Sequence, residues 1–235
     1  MRSFIYGSST CALPRTSIGK KAIMAVTGLF YIGFVLIHMY GNVKVFFGAQ
    51  YFNEYAEGLR SFGAPLLGHL HFLYIMRILL IAAIALHIWA AISLTRQSQA
   101  ARSNKYTMVR RQEANYASLT MRWGGVALFF FLIYHLAHFT WGIPVIHSTF
   151  TPGDAYGNLV YGFQSPINVL IYLIGLVALG FHLYHGTWSL FQTLGLLNRD
   201  TTGAVRGLAW ILALLISIGF ATVPLAVLFG LVVPV

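Results

Sequence analysis

Histidine is the residue type of this sequence that carries the most chemistry. Nine histidines occur in a chain of 235 residues that is 58% hydrophobic and only 9% charged. Six of them fall inside long apolar segments, where an ionisable side chain is costly and usually serves a function. These six are His38, His87, His135, His138, His182 and His185. Their candidate chemistry is metal ligation, proton relay or hydrogen bonding between helices.

The depths of these histidines predict pairs. If successive segments cross a membrane in alternating directions, His38 and His135 lie toward the outside and His87 and His182 toward the inside. At 1.5 Å per residue the two layers are roughly 10–15 Å apart. Two imidazoles from two helices at one depth suit bis-histidine ligation of a haem iron, so two layers predict two haems. A proton relay of histidines stays open as the alternative.

Other metal sites fit less well. Zinc is disfavoured because no carboxylate or thiolate joins either layer. A di-iron carboxylate site is excluded because these helices carry no Asp or Glu. The single cysteine, Cys11, excludes a disulfide framework and a cysteine-based metal cluster.

Two of the segments contain histidines three residues apart, on one helical face. These pairs are His135 with His138 and His182 with His185. Only one member of each pair is needed as an axial ligand, and depth alone does not choose between them. The other member could bond a propionate, a quinone or the opposite helix.

Glycines stand at regular distances from the histidines. Gly28 precedes His38 by ten residues, and Gly125 precedes His135 by ten. Gly186 lies one turn after the first histidine of the fourth segment. Small residues let a flat macrocycle or a neighbouring helix approach closely, so both interpretations are open.

Five apolar segments must position these residues. They run over about 19–47, 70–95, 121–143, 165–193 and 206–232. Each reaches the ~20 residues that cross a ~30 Å hydrocarbon core, and in lipid such segments should be helical. The sequence therefore predicts an all-α membrane protein with five transmembrane helices in a single domain over residues 1–235. Four helices form a haem-binding bundle, and the fifth packs beside it.

The charges are few and unevenly placed. Twelve basic residues fall on one predicted face of the membrane: before span one, between or at the ends of spans two and three, and between spans four and five. The opposite face has only Lys44 and Arg60. This bias predicts a cytoplasmic N-terminus and an outside C-terminus. The net charge of +10 is then topological rather than a nucleic-acid footprint. The composition excludes an ordinary soluble domain and a disordered chain, and contact with anionic lipid or an acidic partner stays open.

The sequence resembles a known family along nearly all of its spans. The matching stretches are residues 17–21 and 24–29, the His38 and His87 segments, residues 125–135 and residues 180–195. They resemble the type B membrane anchor of succinate:quinone oxidoreductases and fumarate reductases, a single-polypeptide, five-helix cytochrome b with two haems. The string from Gly180 to Ser189 is the most specific.

The resemblance implies roles for the histidines. It assigns His38 and His135 to the haem far from the catalytic subunits, and His87 and His182 to the near haem. In this family the ligand in span three stands ten residues after a glycine, which selects His135. The ligand in span four stands four residues before a glycine, which selects His182. His138 and His185 are then neighbours of the ligands. Some members carry a glutamate two residues before the span-four ligand, but this chain has Gly180, which disfavours a glutamate-dependent proton route.

The resemblance also implies an activity and partners. Succinate is oxidised in a flavoprotein subunit with covalent FAD, and electrons pass through an iron–sulfur subunit and two b haems to a quinone, generally menaquinone. This chain then has no residue catalytic for succinate, although quinone chemistry occurs in or near it. The expected location is the bacterial cytoplasmic (inner) membrane. Higher oligomers and the direction of catalysis stay open.

Candidate quinone and propionate residues lie at the ends of the spans. The outer quinone candidates are His69, His71, Tyr74 and Glu57, and the inner ones include Ser17 and Lys21. Arg77 is a candidate for a haem propionate because it lies too deep in span two for an ordinary loop charge. Arg122 is a candidate for a propionate of the inner haem.

Two alternatives remain at this stage. One is a dihaem cytochrome b anchor of another oxidoreductase, such as a hydrogenase or formate dehydrogenase. The other is a haem-free transporter with buried histidines.

Overall fold

The chain is all-helical in a computed structural model that describes residues 16–101 and 116–235. The seven helices of these residues are α1 (Ser17–Val43), α2 (Ala49–Arg60), α3 (His71–Ala100), α4 (Tyr116–Phe139), α5 (Ala155–Phe163), α6 (Pro166–Thr193) and α7 (Thr202–Leu228), and α1 continues into a 3₁₀ turn, Lys44–Phe47. Several residues used in the sequence interpretation lie outside the described ranges: Cys11, Arg2, Arg15, Arg102, Lys105, Arg110 and Arg111.

Within residues 16–101 and 116–235, four helices are long and apolar enough to cross a membrane. They are α1 with its 3₁₀ turn, α3, α6 and α7. The third predicted segment, 121–143, corresponds to α4, which has 24 residues but is not among the four. A fifth crossing therefore stays a prediction.

Two short helices were not predicted. α2 follows α1 after Gly48, whose φ of 94° is a backbone conformation that favours glycine. α5 begins at the N-cap Asp154, whose carboxylate accepts a hydrogen bond from the Gly157 amide at 2.9 Å. The two helices contact each other, because the Asn53 side chain accepts from the Tyr156 amide at 2.9 Å. With 12 and 9 residues, both are shorter than a membrane span.

Neighbouring long helices pack against each other in antiparallel pairs. Along α1 and α3, the Tyr31 hydroxyl donates to the Leu80 carbonyl at 2.6 Å, and Lys20 lies 5.9 Å from the Trp89 ring centre. Residue numbers rise on one helix as they fall on the other, which is the register of an antiparallel pair. The same register relates α4 to α6 and α6 to α7.

Small residues permit the close crossings between these helices. A Cβ at Gly175 of α6 would collide with the Phe131 ring of α4. A Cβ at Gly180 of α6 would lie 3.0 Å from the Ser217 hydroxyl of α7. A side chain at position 180 would therefore require the Ser217 hydroxyl to move by a few tenths of an ångström.

One cluster of buried apolar residues lies where α5, α6 and α7 meet. Val160, Val169 and Val223 are each at most 2% exposed. The flanks of α1 and α3 instead expose large apolar side chains, including Ile37, Ile78 and Ile81. Exposed apolar faces of this extent are expected of helices whose solvent is lipid.

Candidate functional site

Two pairs of histidine rings meet between the long helices. The His38 ring of α1 and the His135 ring of α4 have centres 5.9 Å apart. The His87 ring of α3 and the His182 ring of α6 have centres 6.2 Å apart. These are the pairs that share a depth in the sequence interpretation.

The two pairs lie at different levels of the bundle. α1 approaches the His87–His182 pair near Gly28, since a Cβ there would be 3.6 Å from His87 Cε1. His38 is ten residues further along α1, which corresponds to about 15 Å of helix. Gly125 of α4 occupies the equivalent place beside His182, where a Cβ would lie 3.8 Å from Cε1. A Cβ at Gly186 would meet nothing within 4 Å.

The His38–His135 pair has aromatic walls. The Phe34 ring stacks on the His38 ring at 5.4 Å with an interplanar angle of 10°. Phe220 of α7 lies 5.6 Å from the His38 ring, and Phe131 lies 6.2 Å from the His135 ring. These contacts place aromatic side chains against both imidazoles.

His138 differs sharply from His135, three residues before it. It is fully buried, and both of its ring nitrogens have polar neighbours. Nδ1 lies 3.0 Å from the Tyr172 hydroxyl, and Nε2 lies 3.2 Å from the Asn168 amide nitrogen. His135 uses only Nδ1, which lies 3.1 Å from the same Tyr172 hydroxyl. Of the two, only His135 keeps Nε2 available for a metal.

The environments of His182 and His185 differ less than those of His135 and His138. The His182 ring faces His87, and its Nδ1 is buried without a hydrogen-bond partner in the described part of the chain. His185 is half-buried. Facing geometry thus connects His182, rather than His185, with the second pair.

His147 completes the polar cluster around His138, although the sequence interpretation assigned it no role. It is 3% exposed, its ring centre lies 5.0 Å from that of His138, and its Nδ1 lies 3.2 Å from the His138 carbonyl oxygen. Asn168 extends the cluster, because its side-chain oxygen accepts from the Tyr134 hydroxyl at 2.6 Å. The loop position of His147 carried no signal, whereas Asn168 and Tyr172 are polar residues four apart in an apolar helix and could have been noticed.

The paired rings fit the requirements of a haem iron. Ring centres about 6 Å apart leave room for a metal with a ~2 Å bond to one nitrogen of each imidazole. No group of three or more His, Cys, Asp or Glu side chains within residues 16–101 and 116–235 could hold a metal ion. A site with two protein ligands is what a haem needs, because the macrocycle supplies the other four.

The outer quinone candidates form an exposed polar group rather than an enclosed pocket. Glu57 binds Arg60 at 3.0 Å and the His69 ring at 3.0 Å. The Arg60 guanidinium, and then the His69 ring, lower the pKa of the Glu57 carboxyl. At the start of α3, the His71 Nδ1 accepts a hydrogen bond from the Gly68 amide at 3.0 Å.

The remaining candidates lie on surfaces. Arg77 is exposed, with its guanidinium 5.6 Å from the exposed Tyr74 ring. Ser17, Lys21 and Arg122 are exposed at the opposite end of the bundle. Because α1 spans 27 residues, or about 40 Å, the Ser17 and Glu57 groups cannot contribute to one site.

A family model matches more than half of the sequence. Residues 96–221 match the succinate dehydrogenase/fumarate reductase transmembrane subunit. The chain belongs to this family. The match contains His135 and His182 but begins after His38 and His87. Comparisons with curated proteins and with solved structures gave no match.

Membership establishes the broad role of the chain. It is a multi-pass membrane subunit of a succinate dehydrogenase or fumarate reductase complex, and the family implies association with the other subunits of that complex. The family match supports this complex over the hydrogenase and formate dehydrogenase alternative.

Proposed function

We propose that the chain is the dihaem cytochrome b anchor of a succinate:menaquinone oxidoreductase. The observation that carries the proposal is the presence of two facing histidine pairs at two levels, His38 with His135 and His87 with His182. When bound, each b haem supplies a one-electron carrier within the membrane. The catalytic flavoprotein with FAD and the iron–sulfur subunit are the proposed partners.

The chain's own part is to bind and orient the two macrocycles. His38 and His135 hold the outer haem, and His87 and His182 hold the inner haem. Gly28 and Gly125 leave space beside the inner pair, where a side chain would point at the ligating ring. Arg122, at the same end of the bundle as the inner pair, is the proposed propionate partner there, and Arg77 is the candidate at the other end.

Orientation and docking follow from charge. Lys20, Lys21, Arg122, Arg199 and Arg206 lie at the end of the bundle nearer the inner pair. We place this end in the bacterial cytoplasm, on the positive-inside rule, and propose that it docks the iron–sulfur subunit.

The proposed quinone site is at the opposite end. Glu57, His69, His71 and Tyr74 offer acidic, imidazole and hydroxyl groups near the N-terminus of α3. Glu57 and His69 already share a hydrogen bond at 3.0 Å, so a proton can pass between them. Replacing Glu57 with Gln should impair quinone reduction by the intact complex while leaving succinate oxidation with a soluble electron acceptor unchanged.

A redox spectrum tests the haem assignment. The purified complex should show a reduced-minus-oxidised b-type α band from two haems. His38→Ala or His135→Ala should remove the outer haem alone, and His87→Ala or His182→Ala the inner one alone. The exposed His71→Ala serves as a control that keeps both. A complex without a b-type band would refute the haem assignment, and loss of the same haem in His38→Ala and His87→Ala would refute the pairing.

A further inference from the structure

One histidine of each proposed ligand pair is held through Nδ1 by a buried hydroxyl group. We propose that Thr27 and Tyr172 are positioning residues that accept a hydrogen bond from His87 and His135, and so keep Nε2 free of hydrogen for the iron. This inference rests on the proposed dihaem function. It goes further by assigning the hydrogen-bond direction and its effect on each haem.

The direction is clear at Thr27. Its side chain is 8% exposed, and its hydroxyl donates to the Ile23 carbonyl at 2.7 Å. A hydroxyl has one hydrogen to donate. The contact of 3.0 Å between Thr27 Oγ1 and His87 Nδ1 therefore has the imidazole as donor. With the hydrogen on Nδ1, the neutral ring carries its lone pair on Nε2, the nitrogen that can bind iron.

The Tyr172 hydroxyl lies within hydrogen-bonding distance of two imidazoles, whereas the Thr27 hydroxyl contacts only one. The one hydroxyl of Tyr172 lies 3.1 Å from His135 Nδ1 and 3.0 Å from His138 Nδ1. It can donate to only one of the two imidazoles, so at least one of them must donate to it. The two directions exclude each other, and they place opposite tautomers on His135.

Only one direction is compatible with ligation by His135. If Asn168 donated to His138 Nε2, His138 would donate to Tyr172, and Tyr172 would donate to His135 Nδ1. The hydrogen of neutral His135 would then sit on Nε2 and block the metal. In the other direction His135 Nδ1 donates to Tyr172, and Tyr172 donates to His138 Nδ1.

The second direction is also compatible with the bonds of Asn168. It places the remaining hydrogen of His138 on Nε2, which lies 3.2 Å from the Asn168 amide nitrogen. Asn168 keeps its own acceptor, because its amide nitrogen donates to the Gly162 carbonyl at 2.8 Å. The same nitrogen also donates to the Ile146 carbonyl at 3.3 Å. Both amide hydrogens of Asn168 thus have acceptors, and Asn168 does not require His138 Nε2 as one.

These hydrogen bonds should lower the haem potentials. An acceptor on Nδ1–H makes the imidazole a stronger donor and favours the oxidised iron. The other ligand of each pair has no such acceptor in the described part of the chain, since no hydrogen bond engages the His38 ring and His182 Nδ1 is buried without a partner. Each iron therefore depends on a single hydroxyl for this effect.

The experiment is a redox titration of both haems in the intact complex. Tyr172→Phe should raise the midpoint potential of the outer haem alone, and Thr27→Val that of the inner haem alone. We expect the reduced-to-oxidised ratio at a fixed potential to rise roughly tenfold, which equals 59 mV for one electron. Thr27→Ser keeps the hydroxyl and should retain the native potential.

The outcomes separate the inference from the function on which it rests. A native complex without b haems overturns both. Two haems whose potentials stay native in Tyr172→Phe and Thr27→Val overturn the inference alone, as does a Thr27→Ser variant that shifts as far as Thr27→Val. If Tyr172→Phe fails to assemble, the Val and Ser variants at position 27 decide the question.

Discussion

Replacing His138 with Leu separates a hydrogen-bonding role from a metal-binding one. The side chain is fully buried, and Leu has a similar volume, so the main loss is polar. The substitution removes the contacts with Tyr172 at 3.0 Å and Asn168 at 3.2 Å. Interhelical hydrogen bonds in membrane proteins average ~0.6 kcal/mol and reach ~1.7 kcal/mol. Loss of the Tyr172 bond therefore gives an expected loss of about 0.6–1.7 kcal/mol.

Thermal unfolding of the detergent-solubilised complex measures this loss. For a chain of this size the expected decrease in Tm is about 1–7 °C, with both haems retained because His135 is intact. His185→Leu is the matched control: it has the same spacing from its neighbouring ligand, but its ring makes no hydrogen bond in the described residues, so the Tm should change less. In a double-mutant cycle with Tyr172→Phe, the two losses should overlap by the ~0.6 kcal/mol of their shared bond. Selective loss of the outer haem at unchanged Tm would refute the reasoning.

Three further predictions follow from the geometry. Gly28→Val should exclude the inner haem, measured by pyridine haemochrome content, whereas Gly33→Val, where a Cβ meets nothing within 4 Å, should keep it. Equal haem content in both variants would contradict the proposed role of Gly28 in leaving space for the haem. Gly175→Ala should lower the stability by about 1–3 kcal/mol through overpacking against Phe131. Gly203→Ala is the control, since a Cβ there also meets nothing within 4 Å, and equal Tm values for the two variants would show that α4 can shift. The folded-state pKa of Glu57 is depressed by Arg60 and then His69, so its stabilisation is present above the ordinary value of 4.5 and is lost as the pH falls below it. Glu57→Gln should reduce this acid sensitivity of Tm, and an identical pH profile would argue against the interaction.

Much of the architecture was predictable because membrane helices are encoded locally. The ~20-residue length of an apolar run and the satisfaction of its backbone hydrogen bonds do not depend on a distant partner. The predicted boundaries accordingly lie close to those of α1, α3, α6 and α7. The depth of a histidine also follows from residue spacing along one helix, and the rings expected to share a depth lie 5.9 and 6.2 Å apart. Their ligation of haem stays a prediction.

The loop helices and the partners of the histidines depended on the tertiary structure. α2 and α5 are amphipathic or short, and they are stabilised by contacts with each other, such as the one between Asn53 and Tyr156, that no local pattern reveals. Depth along a helix does not specify the rotation of that helix about its axis. Rotation decides that Thr27 faces His87.

Residue spacing could not distinguish the two histidines that lie three residues apart on one helix, because it does not specify how the helix is rotated. His135 and His138 are equivalent in sequence, and the family resemblance alone chose between them. Packing of α4 against α6 buries His138 between Tyr172 and Asn168 and leaves Nε2 of His135 without a polar partner in the described residues. The sequence by itself thus determined a membrane bundle with histidines in two layers. Only the packing of side chains from different helices decided which nitrogen of each ring is available, because that depends on contacts between residues more than thirty positions apart.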